Sequence, residues 1–175
     1  MTSVPRSNHP SRSLQTRPSR LRLKPATPMT GFVDGGWWPR SRELAMELPA
    51  LAIALAERLG PLRRVAFSMA SWDDTPRRVQ VGDCLVRLEG FRTQDENTVY
   101  VMGADQTRIS LLVVPATASD TAGARALESA AYPDSTDRPA TILAASGALP
   151  PRPDATGSKP ENHRENDGGS VVSHR

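Results

Sequence analysis

Hydrophobic and polar residues alternate along several short stretches of the chain, with the period of a β-strand. In "RLRLKP", Leu21 and Leu23 alternate with basic residues until Pro25, which predicts a half-buried edge strand. The alternation returns in "VAFSMASW", "RRVQV", "CLVRLEGF", "TVYVMG" and "RISLLVVP", with Gly82 and Asp83 as a two-residue hairpin turn. The regular spacing predicts five consecutive strands of an antiparallel meander.

A helical period separates the first strand from this series. Five leucines at spacings of three and four form one apolar stripe: Leu44, Leu48, Leu51, Leu55 and Leu59. Ser41 is expected to cap this helix, and Gly60 followed by Pro61 to end it. Because Pro49 lacks an N–H and clashes with the previous turn, we expect a kink or two pieces, 41–47 and 49–59.

A second, shorter helix is predicted to start near Ser119 or Asp120, with Gly123 as its weak point. The order of strand, helix, five strands and helix predicts an α+β domain. We expect a single twisted antiparallel sheet of five to six strands, curled in one alternative into a barrel, packed by the kinked helix and followed by the short C-terminal one.

Both ends of the chain differ from this domain in composition. Residues 1–19 contain five Ser, three Pro, three Arg and no acid, and residues 133–175 are rich in Pro, Gly, Ser and mixed charge. Such segments bury too little apolar surface to offset the loss of chain entropy. We therefore predict a disordered basic arm (1–19), a folded domain (20–132) and a disordered tail (133–175), in which "TILAA" forms at most a transient turn.

Charge follows the same division. The formal net charge is +3, yet residues 1–24 carry six Lys or Arg and no acid, whereas the remainder carries 16 basic and 19 acidic residues. Contact of residues 1–24 with nucleic acid is one alternative, although charges spread without aromatic residues between them are typical of a solubilising segment. Within the domain, the stretch "RLEGFRTQDEN" indicates an exposed, salt-bridged face.

Several kinds of chemistry are disfavoured by the residues available. All three histidines, His9, His163 and His174, lie in the predicted tails, which argues against Ser-His-Asp or Cys-His catalysis and the usual zinc sites. No glycine-rich phosphate loop occurs. We expect no catalytic residue, no metal and no cofactor. The single Cys84 fits a reducing compartment, and no run of 18 apolar residues predicts a membrane span, so we expect a cytoplasmic protein.

The stretch "GFVDGGWWPRSR" lies in residues 25–40, whose glycines and prolines predict a shaped loop. Its two tryptophans, Trp37 and Trp38, have two interpretations. In the first, the tryptophans beside Arg40 and Arg42 form a platform for a planar or cationic ligand or for a partner. Alternatively one indole packs inward, over the small side chains of Ala66, Ser68 and Ala70, and the other is half-exposed as a lid or an interface anchor. Both interpretations stay open at the level of sequence.

Six stretches together resemble an actinobacterial family of small proteins known only as a domain of unknown function: "RLRLKP", "GFVDGGWWPRSREL", "ELPALAIAL", "RVAFSMASWD", "RLEGFRTQDENTV" and "LLVVP". The resemblance covers about residues 20–130, and "VDGGWWPRS" and "LEGFRTQD" are its most specific motifs. It implies a small, soluble, cytoplasmic protein and assigns no activity, cofactor or catalytic residue.

We interpret the chain as a non-enzymatic binding or regulatory module for an unidentified protein or small ligand. Loops at one end of the sheet are expected to form its surface, because they hold polar and aromatic residues that packing does not require. The candidate binding residues are Asp34, Trp37, Trp38, Arg40, Phe91, Arg92 and Asp95. The alternatives are a histidine-independent enzyme using Asp34, Asp73 or Glu89 as acid or base, and a nucleic-acid accessory protein using the arm.

Overall fold

The structure, a computed structural model, describes residues 19–26 and 31–149, which form seven strands and three helices. The strands are β1 (Arg20–Leu23), β2 (Gly35–Trp38), β3 (Leu62–Ser68), β4 (Arg78–Val81), β5 (Cys84–Phe91), β6 (Thr98–Gly103) and β7 (Arg108–Val113). The helices are α1 (Leu44–Leu59), α2 (Asp120–Ala130) and α3 (Pro139–Ser146). The predicted arm up to residue 18, residues 150–175 of the predicted tail and the three histidines lie outside the described residues.

All seven strands belong to one open sheet, in the order β1-β2-β7-β6-β3-β5-β4. Strand β2 runs parallel to β7 and β3 runs parallel to β5, while the remaining neighbours are antiparallel. The α+β class is therefore confirmed, but the predicted antiparallel sheet of five to six strands is wrong, and the sheet does not close into a barrel. The period of two identifies every strand except β2, and it carries no information on which strands pair.

Part of the predicted loop 25–40 is strand β2, which pairs with both β1 and β7. The glycines of β2 allow neighbouring elements to pack closely against the strand, and they do not form a turn. A β-carbon on Gly35 would collide with the carbonyl oxygen of Arg22 on β1, and one on Gly36 would lie 3.0 Å from Leu127 Cδ2 of α2. Residues 35 and 36 must therefore be small for the first strand and the second helix to approach the sheet.

Helix α1 continues through Pro49 as one element and is not divided into the two expected pieces. The helix starts at Leu44, three residues after the predicted cap, and no side chain caps it. Ser41 instead donates its hydroxyl to Glu47 Oε1 at 2.9 Å. The predicted leucine stripe is confirmed, since all five leucines are buried against one face of the sheet.

Helices α2 and α3 lie on the opposite face and cover only the β1-β2-β7 side. Helix α2 starts at Asp120, as predicted, and Ser119 caps it by accepting a hydrogen bond from the N–H of Ala122. Helix α3 falls in the segment predicted as a disordered tail, and its Ile142 and Leu143 are buried in this second core. The sheet thus has one hydrophobic core on each face, and the second core is confined to one side of the sheet.

Candidate functional site

The two adjacent tryptophans are buried on opposite faces of the sheet, because neighbouring residues of a strand point in opposite directions. Trp37 is 1% exposed and stacks on Trp72, with ring centroids 5.3 Å apart and planes 22° apart. Trp38 is 5% exposed and belongs to the second core. The geometry corresponds to the packing interpretation for both rings, although neither covers the face of β3 that carries Ala66.

Polar contacts also hold Trp38 in place. Its indole N–H donates to the carbonyl of Pro115 at 3.1 Å, and the guanidinium of Arg20 lies 3.6 Å from the centre of its ring. Arg20 also donates to the carbonyls of Trp38 and Pro39. Burial lowers the pKa of Arg20, and the nearby charge of Arg40 lowers it further. Arg20 thus binds β1 to the end of β2, and its guanidinium covers one side of the Trp38 indole.

The other predicted binding residues divide between the two ends of the sheet. Arg40 follows β2, while Arg92 and Asp95 follow β5, and these two strands run in the same direction. Arg40 and the segment Phe91–Asp95 therefore lie at the same end, as expected. Asp34 precedes β2 at the other end, where its carboxylate accepts a hydrogen bond from the N–H of Ser110 at 2.7 Å.

A different set of charged side chains is brought together by the strand order. The pairing registers align Arg78 of β4, Arg87 of β5, Arg64 of β3, Met102 of β6 and Arg108 of β7 directly across five strands. We call the four arginines the arginine row. At about 4.8 Å per strand, the row extends over roughly 19 Å between the first and last Cα atoms. All four arginines are exposed.

Among the described residues, no helix packs over β4, β5, β3 and β6 on this face, and the second core reaches β7 at Leu112, beyond the arginine row. Helix α1 packs on the other face, and α2 contacts β1 and β2 at the far side. The exposed side chains beside the row include Gln80 and Leu85. We call the outward side of β4, β5, β3, β6 and β7 that carries the arginine row the open face.

A second line of residues lies beside the row on the open face, and consists of Glu89, Ala66, Tyr100 and Ser110. Glu89 pairs with Arg87 at 2.9 Å and lies 3.7 Å from Arg64. The guanidinium of Arg108 lies 5.1 Å from the ring centre of Tyr100. Since Ala66 and Ser110 are small, the aromatic ring has no bulky side chain opposite it on either neighbouring strand.

The charge of the open face differs from that of the rest of the described chain. Residues 19–26 and 31–149 contain 15 Lys or Arg and 15 Asp or Glu, so their formal charges cancel. On the two lines described above, four arginines face one carboxylate, that of Glu89. Directly opposed like charges on neighbouring strands destabilise a sheet. The concentration of positive charge is therefore a local property that folding does not require.

Phe91 links one predicted binding residue to this surface. It shares the outward side of β5 with Arg87 and Glu89, and it is among the exposed large hydrophobic residues. All three residues line a cleft of about 840 Å³ that also includes Asp73 and Arg78. One end of the arginine row therefore continues into a concave region beside an exposed aromatic ring.

Sequence reasoning missed the row because it depends on pairing between distant segments. Each arginine occupies an outward position in an alternating strand, so its exposure follows from the period of two. Their alignment depends on β5 lying beside β3 and on β6 lying between β3 and β7. The predicted salt-bridged face is present in part, as the pair of Arg87 with Glu89.

Two further observations concern the described residues alone. Within residues 19–26 and 31–149, no three His, Cys, Asp or Glu side chains are grouped so that they could hold a metal ion. In the same ranges, no helix combines the length and apolar character needed to cross a bilayer.

Within the described residues, the fold and the open face define a small α+β protein with a mixed seven-stranded sheet and a surface that carries the arginine row. The chain belongs to the family of unknown function DUF5994, whose model matches residues 20–130. The match runs from the first residue of β1 to the last residue of α2, so α3 lies beyond it. Comparisons with curated proteins and with solved structures found no match.

Proposed function

We propose that the protein is a non-enzymatic binding module that holds an anionic partner on its open face. The observation that carries this proposal is the alignment of Arg78, Arg87, Arg64 and Arg108 across the sheet, with one carboxylate among them. Guanidinium groups offer planar, two-pronged donors that fit phosphate and carboxylate oxygens. A row of them suits an extended anion better than a compact one.

The energetics of the bare surface support a partner. Arg87 lies directly opposite Arg78 on one side and Arg64 on the other. Glu89 can offset only part of this repulsion, because one carboxylate faces two guanidinium groups whose side chains are exposed to solvent screening. An anion bound along the row would relieve the repulsion, whereas arginines kept only for solubility gain nothing from alignment.

The proposed surface differs from the predicted tryptophan loop. Trp37 and Trp38 are occupied in the two cores, and the carboxylate of Asp34 is bonded to β7. Arg40 and Arg92 are exposed at one end of the sheet, away from the arginine row. Phe91 is the predicted residue that we retain, because it lies on the open face.

Binding of labelled inorganic polyphosphate by the full chain, followed by fluorescence anisotropy, tests this proposal. The double variant Arg64→Ala/Arg87→Ala should bind at least about tenfold more weakly, since one charge-assisted hydrogen bond contributes about 1.5–3 kcal/mol. The matched control Arg40→Ala/Arg125→Ala removes two exposed arginines elsewhere and should stay within about twofold of the parent.

The control also separates the open face from the other basic parts of the chain. Both double variants keep residues 1–18 unchanged and lose the same formal charge. Equal losses in the two variants would mean that polyphosphate responds to net charge, and would refute the proposal. So would unchanged binding in Arg64→Ala/Arg87→Ala.

A further inference from the structure

A more specific inference rests on the proposed function and concerns the chemical class of the anion. We propose that the open face takes single-stranded nucleic acid, with phosphates along the arginine row and a base stacked on Tyr100. Proteins that bind single strands without sequence preference combine a basic track with aromatic side chains on which bases lie. Both elements occur on this face.

The position of Tyr100 is the first argument. It lies on β6 two residues from Met102, the β6 position in line with the arginine row, which is about 7 Å along the strand, so a chain following the row passes beside its ring. Its neighbours across the sheet, Ala66 and Ser110, are small, so a base would reach the half-buried ring on the side that Arg108 does not cover. Arg108 already lies against this ring, and an arginine plane can stack on a base as well.

A second aromatic side chain extends the surface. Phe91 lies on the same face two strands from β6, at the end of β5 that carries Glu89 and Arg87. Strand geometry places its Cα about 12 Å from that of Tyr100. Both rings lie on the same side of the row, Tyr100 two residues and Phe91 four residues from it, so bases directed to that side from phosphates on the row would face both rings without a sequence-specific contact.

The shape of the surface argues for a single strand over a duplex. The major groove of DNA admits a helix or a two-stranded ribbon, which are protruding elements. The arginine row lies across five strands of an open sheet, so its central members cannot enter a groove. An acidic peptide would use the arginines and leave the aromatic rings without a role, so it is the alternative that the experiment must separate.

The experiment measures anisotropy of the full chain with four labelled probes at equal ionic strength. They are a single-stranded oligonucleotide of about 12 nucleotides, an abasic chain of equal length, inorganic polyphosphate and poly-glutamate; this length lies within known single-strand site sizes. We expect the oligonucleotide to bind about tenfold more tightly than the abasic chain, because only the former carries bases to stack. Equal affinity for these two probes would overturn the inference.

Substitution at Tyr100 supplies the protein side of the test. Tyr100→Leu should weaken oligonucleotide binding about tenfold and leave polyphosphate binding within about twofold, since it removes the ring and no charge. Tyr100→Phe keeps the stacking face and should bind both probes like the parent. If Tyr100→Leu weakens binding of both probes equally, or of neither, stacking on this residue is refuted.

The outcomes for the two proposals are distinguishable. Binding of polyphosphate that depends on Arg64 and Arg87, without preference for bases, would leave the proposed function intact and refute the nucleic-acid inference. Tighter binding of poly-glutamate than of the oligonucleotide would also refute the inference, in favour of an acidic protein partner. If binding of every probe is unchanged in Arg64→Ala/Arg87→Ala, both the proposed function and the nucleic-acid inference are refuted.

Discussion

Gly123 of α2 lies directly against the indole of Trp38 on β2: a β-carbon at residue 123 would overlap the six-membered part of that ring. The sequence presents this glycine as a defect in a helix, and the structure shows it as the point where α2 rests on the sheet. The large indole of Trp38 fits against α2 because Gly123 has no side chain.

Gly123→Ala is therefore expected to destabilise the protein. Alanine favours a helix over glycine by about 1 kcal/mol, but overpacking a filled core costs about 1–3 kcal/mol. We predict a net loss of about 1 kcal/mol or more in the free energy of unfolding, measured with urea. The exposed neighbour Ala124 provides the control, since Ala124→Gly should lose only the helix propensity. Increased stability of Gly123→Ala would contradict the packing of Trp38 against α2.

Helix α3 is expected to be part of the folded unit, although it lies beyond the family match and in a segment predicted as a tail. Leu143 is fully buried in the second core, which also contains Leu112 and Ala126. Leu143→Ala should lower the free energy of unfolding by about 2–5 kcal/mol, the usual cost of such a cavity. The nearby exposed Ala144→Ser should change it little. A loss below about 0.5 kcal/mol for Leu143→Ala would mean that α3 is not docked in solution.

Glu89→Gln is expected to lower stability while strengthening binding of anions. The substitution removes the carboxylate that lies between Arg64 and Arg87, and those side chains are 46% and 62% exposed. Because solvent screens such pairs, the loss in free energy of unfolding should be about 0.5–1 kcal/mol at low salt and smaller at high salt. Polyphosphate affinity should rise. A stability loss independent of salt would show that Glu89 acts through something other than charge.

The turn between β6 and β7 gives a prediction about pH. The hydroxyl of Thr107 donates to Asp105 at 2.8 Å and its backbone N–H donates at 3.0 Å, and these bonds lower the pKa of the Asp105 carboxyl. Thr107→Val removes the first bond, so the pKa of Asp105 should rise toward its ordinary value in an NMR titration. A lowered folded-state pKa stabilises above the unfolded-state pKa, and this contribution is lost as pH falls through the folded-state value. An unchanged pKa would refute the hydroxyl bond.

The strands and the leucine stripe of α1 could be predicted because they are local patterns of period two and of three to four. The pairing of one strand with another could not be predicted from these patterns. The hairpin β4-β5 joins the sheet through β5 beside β3, a parallel pairing between segments that are not consecutive strands. The arginine row depends on this pairing, so its members were visible in the sequence as exposed residues and their alignment was not.

The tryptophan loop shows a second limit of local reasoning. Gly35 and Gly36 are typical of turns, and their neighbours Trp37 and Trp38 are typical of ligand platforms. In the structure both glycines lie in strand β2. They have to be glycines because β1 and α2 approach residues 35 and 36 too closely for a side chain. A glycine needed for a turn can be distinguished from one needed for close packing only when the positions of distant segments, here β1 and α2, are known.

The most direct test of the account maps the amide resonances of the full chain by NMR while inorganic polyphosphate is added. Shifts should concentrate at Arg64, Arg87, Tyr100 and Arg108, because the anion is proposed to lie along the open face. Shifts confined to Arg40 and to residues 92–97, or to residues 1–18 with the sheet unchanged, would contradict it.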